Sequence, residues 1–177
     1  MPAAALVPAG EYLAWIYDPD GEYVAGRLAE RRVGEYPHSR LQGLIFLVLH
    51  ALEAVHPVCA LVERRLRVSA GAGAERFRVP DICLARRPLE LERDVLIAPP
   101  LLIVEVLSSD DTLHEVLEKA GEYQRFGTGH VRVADPQERT LYEATRRGLE
   151  IRPEHRLDTA GLGTIDLGPA FEDLADE

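Results

Sequence analysis

Val79-Pro80-Asp81-Ile82 and Leu101-Leu102-Ile103-Val104-Glu105-Val106-Leu107 open the stretch 79–126 that decides the fold. The second run is almost continuously apolar, the pattern of a central strand covered on both faces. Ser108-Ser109-Asp110-Asp111-Thr112 then supplies helix-capping chemistry. Leu113, Val116, Leu117, Ala120 and Tyr123 recur at helical spacing, and Gly127 is a stop. Within this frame Asp81 follows a proline at the start of one apolar run, and Glu105 lies inside another. A charge there is costly to bury unless it is paired or coordinated. We therefore expect Asp81 and Glu105 to be a metal-binding carboxylate pair, with Lys119 as their cationic companion.

Outward from that stretch, Arg76–Ala85 reads as the strand that carries Asp81, and Val58–Val68 as a strand with one polar face. Ser69–Ala74 between them is a small-residue hairpin loop; it lacks the Gly-Lys-Ser/Thr ending of a phosphate loop. Leu41, Leu44, Ile45, Val48, Leu52 and Val55 form the apolar stripe of a long helix that starts at His38 or Ser39 and ends before Pro57. Glu11–Tyr17 suits a short helix stopped by the turn Asp18-Pro19-Asp20-Gly21. Glu22–Val33 suits short strands broken at Gly26, with Leu28 and Val33 facing inward.

Downstream, residues 86–100 read as a charged, proline-bounded connection. Val131–Ala134 and Thr140–Thr145 are strands around the turn Asp135-Pro136-Gln137-Glu138. Ile151, Leu157 and Ile165 mark short edge strands, and Pro169–Leu174 a last helix. The order predicts an α/β protein: one domain over 1–177, with a central mixed β-sheet flanked by helices.

The chain has 177 residues, 46% hydrophobic and 28% charged, which is material for one core. Its formal net charge of -10 argues against broad electrostatic coating of nucleic acid, though not against a local basic groove. Cys59 and Cys83 lack metal-ligand spacing and suit reduced core thiols. No basic leader or apolar span of about 20 residues is present, so we expect a cytoplasmic protein with no membrane partner.

Two carboxylates on neighbouring strands suit Mg²⁺ or Mn²⁺, hard cations that prefer oxygen ligands. Such an ion polarises a phosphoryl oxygen and helps ionise an attacking water. Lys119 flanks its helix stripe and has two placements: toward the sheet, or in a solvated pair with Glu115 four residues earlier. Arg64, Arg65, Arg67, Arg76, Arg78, Arg86 and Arg87 either line a face beside Asp81, where they would meet phosphates, or are scattered over solvated strands. His50, His56, His114, His130 and His155 lack the spacing of a zinc site. Ser108 lacks the setting of a nucleophile elbow and is a cap.

The series Glu22-Tyr23-Val24-x-Gly26, Pro37-His38-Ser39, Val79-Pro80-Asp81, Glu105-Val106-Leu107-Ser108, Glu118-Lys119-x-x-x-Tyr123 and Val133-Ala134-Asp135-Pro136 resembles the Uma-two family. That family is endonuclease-like and belongs to the PD-(D/E)XK restriction-endonuclease-like superfamily. The resemblance runs from about Glu11 to about Leu174. It implies a restriction-endonuclease-like core in which Asp81 and Glu105 are the motif acids. Leu107 stands where the superfamily's lysine is usual, and Lys119 matches the family's lysine on the next helix. Glu22 and His38 match further polar positions expected near the metal. Ala25, Arg27, Ser109 and Arg132 depart from the family's usual residues and remove no candidate ligand.

The resemblance thus implies a Mg²⁺- or Mn²⁺-dependent endonuclease cutting phosphodiester bonds in DNA, with Asp81, Glu105, Lys119, Glu22 and His38 at its site. The competing expectation is a regulatory or binding module that keeps the scaffold without turnover. A homodimer fits either, since apolar edge strands tend to pair.

Overall fold

The computed structural model describes residues 6–14, 21–30, 34–69, 75–159 and 161–174. The expected turn residues Asp18 to Asp20, Val33, most of the loop Ser69–Ala74 and the end of the first expected helix lie outside the described residues.

Helix α1 (Ala9–Ala14) precedes a hairpin of β1 (Gly21–Val24) and β2 (Arg27–Glu30). Its two-residue turn holds Ala25 and Gly26 at φ 50° and 88°, the left-handed region such a turn requires. Helix α2 (Tyr36–Ala51) carries Pro37 in its first turn and buries Leu41, Leu44, Ile45 and Leu49. A 3₁₀ turn over Leu52–Ala54 ends it, so Val55 falls past the helical stripe and is exposed rather than core-facing.

The expected strand Val58–Val68 is two strands, β3 (Val58–Val62) and β4 (Leu66–Arg67). Arg76–Ala85 is likewise β5 (Arg76–Arg78) and β6 (Ile82–Arg86). The four form one antiparallel ribbon interrupted on both sides at the same level, between the pairs Val62↔Ile82 and Leu66↔Arg78. Glu63 takes φ 50°, and Pro80 has no N–H for the ladder. One hydrogen bond spans the break, from the Glu63 N–H to the Asp81 carbonyl at 3.1 Å. Through this break the ribbon passes from one sheet to another. The expected connection over 86–100 also contains structure: β7 (Leu91–Glu92) and β8 (Val95–Leu96) flank a tight turn with Arg93 and Asp94 at φ 47° and 65°.

Then come β9 (Leu102–Val106), α3 (Leu113–Phe126), β10 (His130–Asp135), β11 (Thr140–Thr145), β12 (Gly148–Ile151), β13 (Arg156–Thr159), β14 (Gly163–Asp166) and α4 (Gly168–Asp173). Two mixed six-stranded sheets result, ordered β12-β11-β10-β9-β6-β3 and β2-β1-β5-β4-β8-β7, with β13 and β14 as a separate hairpin. Strands β9 and β10 are parallel, and α3 makes the crossover between them. The α/β class with helices flanking mixed sheet therefore holds, with the strands divided between two sheets rather than gathered in one.

Alternate residues of β9 explain why its sequence is continuously apolar. Leu102, Val104 and Val106 pack with α2 and α4, while Ile103 packs with Ala120 and Tyr123 of α3 and with Leu66 and Leu96 of the second sheet. Glu105 shares the Ile103 face and so points toward α3. Leu28 is exposed instead of inward, because β2 is an edge strand. Leu113 is exposed because it is the first helical residue, ahead of the turn that lies on the sheet.

Candidate active site

Asp81 and Glu105 meet through sheet register. Strands β6 and β9 pair Ile82 with Val104 and Cys83 with Ile103. One further step along that antiparallel ladder sets Asp81 opposite Glu105, on the same face, where directly opposed side chains have Cβ atoms about 5 Å apart. Asp81 Oδ2 accepts the Val106 N–H at 2.8 Å, and His38 Nε2 lies 3.4 Å from the same oxygen. Just past the break at Pro80, Asp81 keeps its carbonyl on the Glu63 N–H and sets its side chain at the junction between the sheets.

Helix α3 supplies the next layer. Thr112 and Glu115 form a reciprocal capping box that fixes its start. Lys119 and Tyr123, four apart and so on one helical face, both reach Glu105. The Tyr123 hydroxyl donates to Glu105 Oε1 at 2.5 Å, and Lys119 Nζ lies 3.7 Å from Oε2. Lys119 is also 3.2 Å from Glu22 Oε1. Of its two expected placements it takes the one toward the sheet, since Glu115 is used by the cap.

Glu22 enters from the second sheet. The register Tyr23↔Phe77 and Val24↔Arg76 sets Glu22 opposite Arg78, whose Nη1 donates to Glu22 Oε2 at 2.7 Å. The Val79 N–H donates to Glu22 Oε1 at 3.1 Å. Arg78 Nε donates in turn to Glu122 Oε2 at 2.6 Å, and Arg76 Nη1 to Glu122 Oε1 at 2.5 Å. Glu22, Arg78 and Glu122 are all buried. Glu122 was not among the residues expected at the site, and Arg78 was expected only as one of seven arginines with two alternative placements. Their signal was available: Glu122 follows Lys119 by three residues on one helical face, and Arg78 immediately precedes Val79-Pro80-Asp81.

The electrostatics follow from this packing. Burial pushes Glu105 up to about 7; Asp81 and Glu22 add to the rise, and Lys119 and the Tyr123 hydrogen bond oppose it. Burial disfavours the Lys119 cation, but the charges of Glu105, Glu22 and Asp81 outweigh it and hold its pKa above the ordinary lysine value. Lys119 is thus a fixed cation and not a proton acceptor. Cys83, on the same sheet face, is an inert thiol that burial pushes up to about 12.

Glu22, His38, Asp81, Glu105 and Lys119 all line one cleft of about 170 Å³. The remaining expected arginines do not gather there: Arg64 pairs with Asp94, Arg67 with Glu92 and Arg87 with Glu53. Arg65 lies over the Tyr12 ring, 4.4 Å from its centre.

The sequence profile of a family described as "Putative restriction endonuclease" matches residues 9–174. The chain belongs to that family. A crystal structure described as a "putative nuclease belonging to DUF820" from Anabaena variabilis ATCC 29413 superposes with a TM-score of 0.75 at 20% identity. The match covers 95% of this chain and 99% of the other, and it shows a shared fold. No curated protein matches the chain in sequence.

Restriction-endonuclease-like folds imply a divalent metal, and the donor set can be tested against one. Asp81 and Glu105 are opposed carboxylates, an arrangement that is repulsive without a cation, and Asp81 adds to the rise that burial chiefly imposes on the Glu105 pKa. Mg²⁺ is ordinarily held by one or two carboxylates plus several waters, so this pair fits it. Glu22 fits less well, since Arg78 and Lys119 already balance it. Among the described residues no group of three or more His, Cys, Asp or Glu side chains is arranged to hold a metal.

Proposed function

We propose that this member of the restriction-endonuclease-like family is a Mg²⁺- or Mn²⁺-dependent endonuclease that hydrolyses phosphodiester bonds in DNA. The observation that carries the reading is the opposition of Asp81 and Glu105 across β6 and β9, with Lys119 held against them. Asp81 and Glu105 would hold the ion, which supplies Lewis-acid charge to the phosphodiester and makes water a better nucleophile.

The chain's own groups divide the remaining work. Lys119, kept cationic by its three carboxylate neighbours, stabilises negative charge developing on the phosphate and orients water by donating hydrogen bonds. Glu22 positions Lys119, and Arg78 positions Glu22. Tyr123 fixes the Glu105 carboxylate, and the Val106 N–H together with His38 fixes Asp81. None of these partners needs to move a proton for the cleft to stay organised.

Plasmid and single-stranded DNA incubated with Mn²⁺ should be cut by the wild type. Asp81→Ala and Lys119→Ala should each lower the rate by about 10²–10³-fold, the loss typical of a group aimed at developing charge. Undiminished cutting by both variants would mean that another nuclease was being assayed.

One observation favours a second reading, a scaffold that binds without turnover: both motif acids already have protein donors, Tyr123 and the Val106 N–H. Titration calorimetry with Mn²⁺ separates the two, since this second reading requires no binding heat. The proposed setting is the cytoplasm, supported by the free thiols Cys59 and Cys83. Among the described residues no helix is long and apolar enough to cross a membrane. A homodimer is part of the proposal, supported by Ile151, exposed on the edge strand β12. A monomer mass by light scattering would remove that part.

A further inference from the structure

On the flank of α3 turned away from the cleft, a hollow of about 550 Å³ lies between the helix and the β11–β12 turn. Leu117, Ala120 and Gly121 line it with small or apolar surface, and Arg125, Arg146 and Arg147 stand exposed at its rim. The turn is built to present them. Thr145 Oγ1 accepts the Arg147 N–H at 3.1 Å and lies 3.1 Å from the Gly148 carbonyl, and Gly148 takes φ 129°. Gln124 Nε2 donates to the Ala144 carbonyl at 2.6 Å, tying the end of β11 to α3.

The charge at this rim runs against the chain's composition. With thirty acids to twenty bases, most clustered arginines have found carboxylates: Arg76 and Arg78 on Glu122, Arg152 on Glu143, Arg156 on Asp166. Among the described residues, none of the three rim guanidinium groups has a carboxylate partner, and no acid lines the hollow. The cleft is the reverse, with Glu22, Asp81, Glu105, Asp111, Glu115 and Glu118 in its walls. A phosphodiester polymer drawn to that cleft meets a net negative wall and has to be held by positive charge elsewhere. The two flanks of α3 are separated by about one helix diameter, 10–12 Å. Guanidinium forks match phosphate oxygens two at a time, and exposed, unpaired ones are ready to do so.

We propose that Arg125, Arg146 and Arg147 bind the sugar–phosphate backbone of a DNA duplex, gripping it at a distance from the bond that the cleft cuts. This inference rests on the hydrolase reading for its choice of polymer, while its test does not need turnover.

The test is the salt dependence of binding, by fluorescence anisotropy of a short labelled duplex with the full chain and no divalent cation. Each phosphate contact contributes about 0.9 to the slope of log K against log salt. The R125Q/R146Q/R147Q variant should therefore bind at least tenfold more weakly and flatten the slope by about 2–3. R146Q alone should flatten it by about 1, which keeps the test usable if the triple variant folds poorly. Unchanged affinity and slope in these variants, or a wild type that does not bind duplex at low salt, would overturn the proposal. Polyglutamate competing as well as duplex at equal charge would overturn it in favour of an acidic protein partner. Cleavage in Mn²⁺ by a wild type whose triple variant binds equally well would remove the patch and leave the hydrolase. Binding lost in the triple variant with no cleavage by the wild type would leave the patch and remove the hydrolase.

Discussion

Glu105 is an acid that folding weakens, and the consequence is measurable without any substrate. Its pKa rises from 4.5 to about 7, chiefly by burial and then by the charges of Asp81 and Glu22. A group with a raised native pKa contributes stability that is complete below its unfolded value and is lost as pH climbs through the folded one. In the absence of divalent cations, stability should therefore fall by on the order of 3 kcal/mol between about pH 4.5 and pH 7. Glu105→Gln should flatten that fall in urea-denaturation midpoints. An equally steep fall in the variant would place the titration on another group. Arg78 has the opposite character: it is permanently charged and buried between Glu22 and Glu122. Arg78→Ala leaves two buried carboxylates short of a partner and should cost about 3–5 kcal/mol in the same assay. The neutral set R78M/E22Q/E122Q should cost less than R78A alone, because an apolar or neutral replacement of a whole network leaves no orphaned charge.

At the scale of elements, the site depends on how two segments begin and break. Helix α3 is aimed by its capping box, with Thr112 Oγ1 accepting the Glu115 N–H at 3.3 Å. Thr112→Ala should cost about 1 kcal/mol, and if the cap also aims Lys119, cleavage should fall further than the stability loss explains. A variant that loses stability and keeps its full rate would confine the cap to folding. Helix α3 was legible in the sequence from end to end, because cap, stripe and Gly127 are all local signals. Strand β9 was legible for a similar reason, since burial on both faces writes itself as an unbroken apolar run. The division of the ribbon into β3, β4, β5 and β6 was not, because apolar residues recur on both sides of Glu63 and Pro80 and the runs read as single strands although the ladder stops. The clue present was Pro80 itself, which cannot donate to a neighbour. Strands β7 and β8 were hidden for another reason: each is two residues long, below the length at which periodicity exists. Among side chains, the pairing of Asp81 with Glu105 could be anticipated from cost alone, whereas for the Arg76–Arg78–Glu122 layer the sequence offered only positions near the motif residues, its contacts being set by register between sheets and helix.

The whole molecule sets strong net negative charge against a cleft whose own walls are acidic, and this determines how it should respond to a cation. With a formal net charge of -10, the native state carries self-repulsion, to which the opposed acids Asp81 and Glu105 contribute. An ion that binds this native arrangement and not the unfolded chain raises stability by mass action, by about 2.7 kcal/mol at a hundredfold excess over its Kd. For a chain of this size each kcal/mol shifts the melting temperature by about 2–4 °C, so Mn²⁺ should raise the wild-type midpoint by roughly 5–11 °C. General screening of surface charge predicts a different pattern, in which sodium chloride at matched ionic strength does the same and site variants respond equally. D81N/E105Q should be more stable than wild type without metal, because the opposed charges are gone, and it should then gain nothing specific from Mn²⁺. A gain in stability without metal, combined with loss of the Mn²⁺ response, is a pattern that a merely damaged fold cannot imitate. A midpoint that rises with Mn²⁺ equally in wild type and D81N/E105Q would place the ion elsewhere on the acidic surface, and the proposed roles of Asp81 and Glu105 would fall with it.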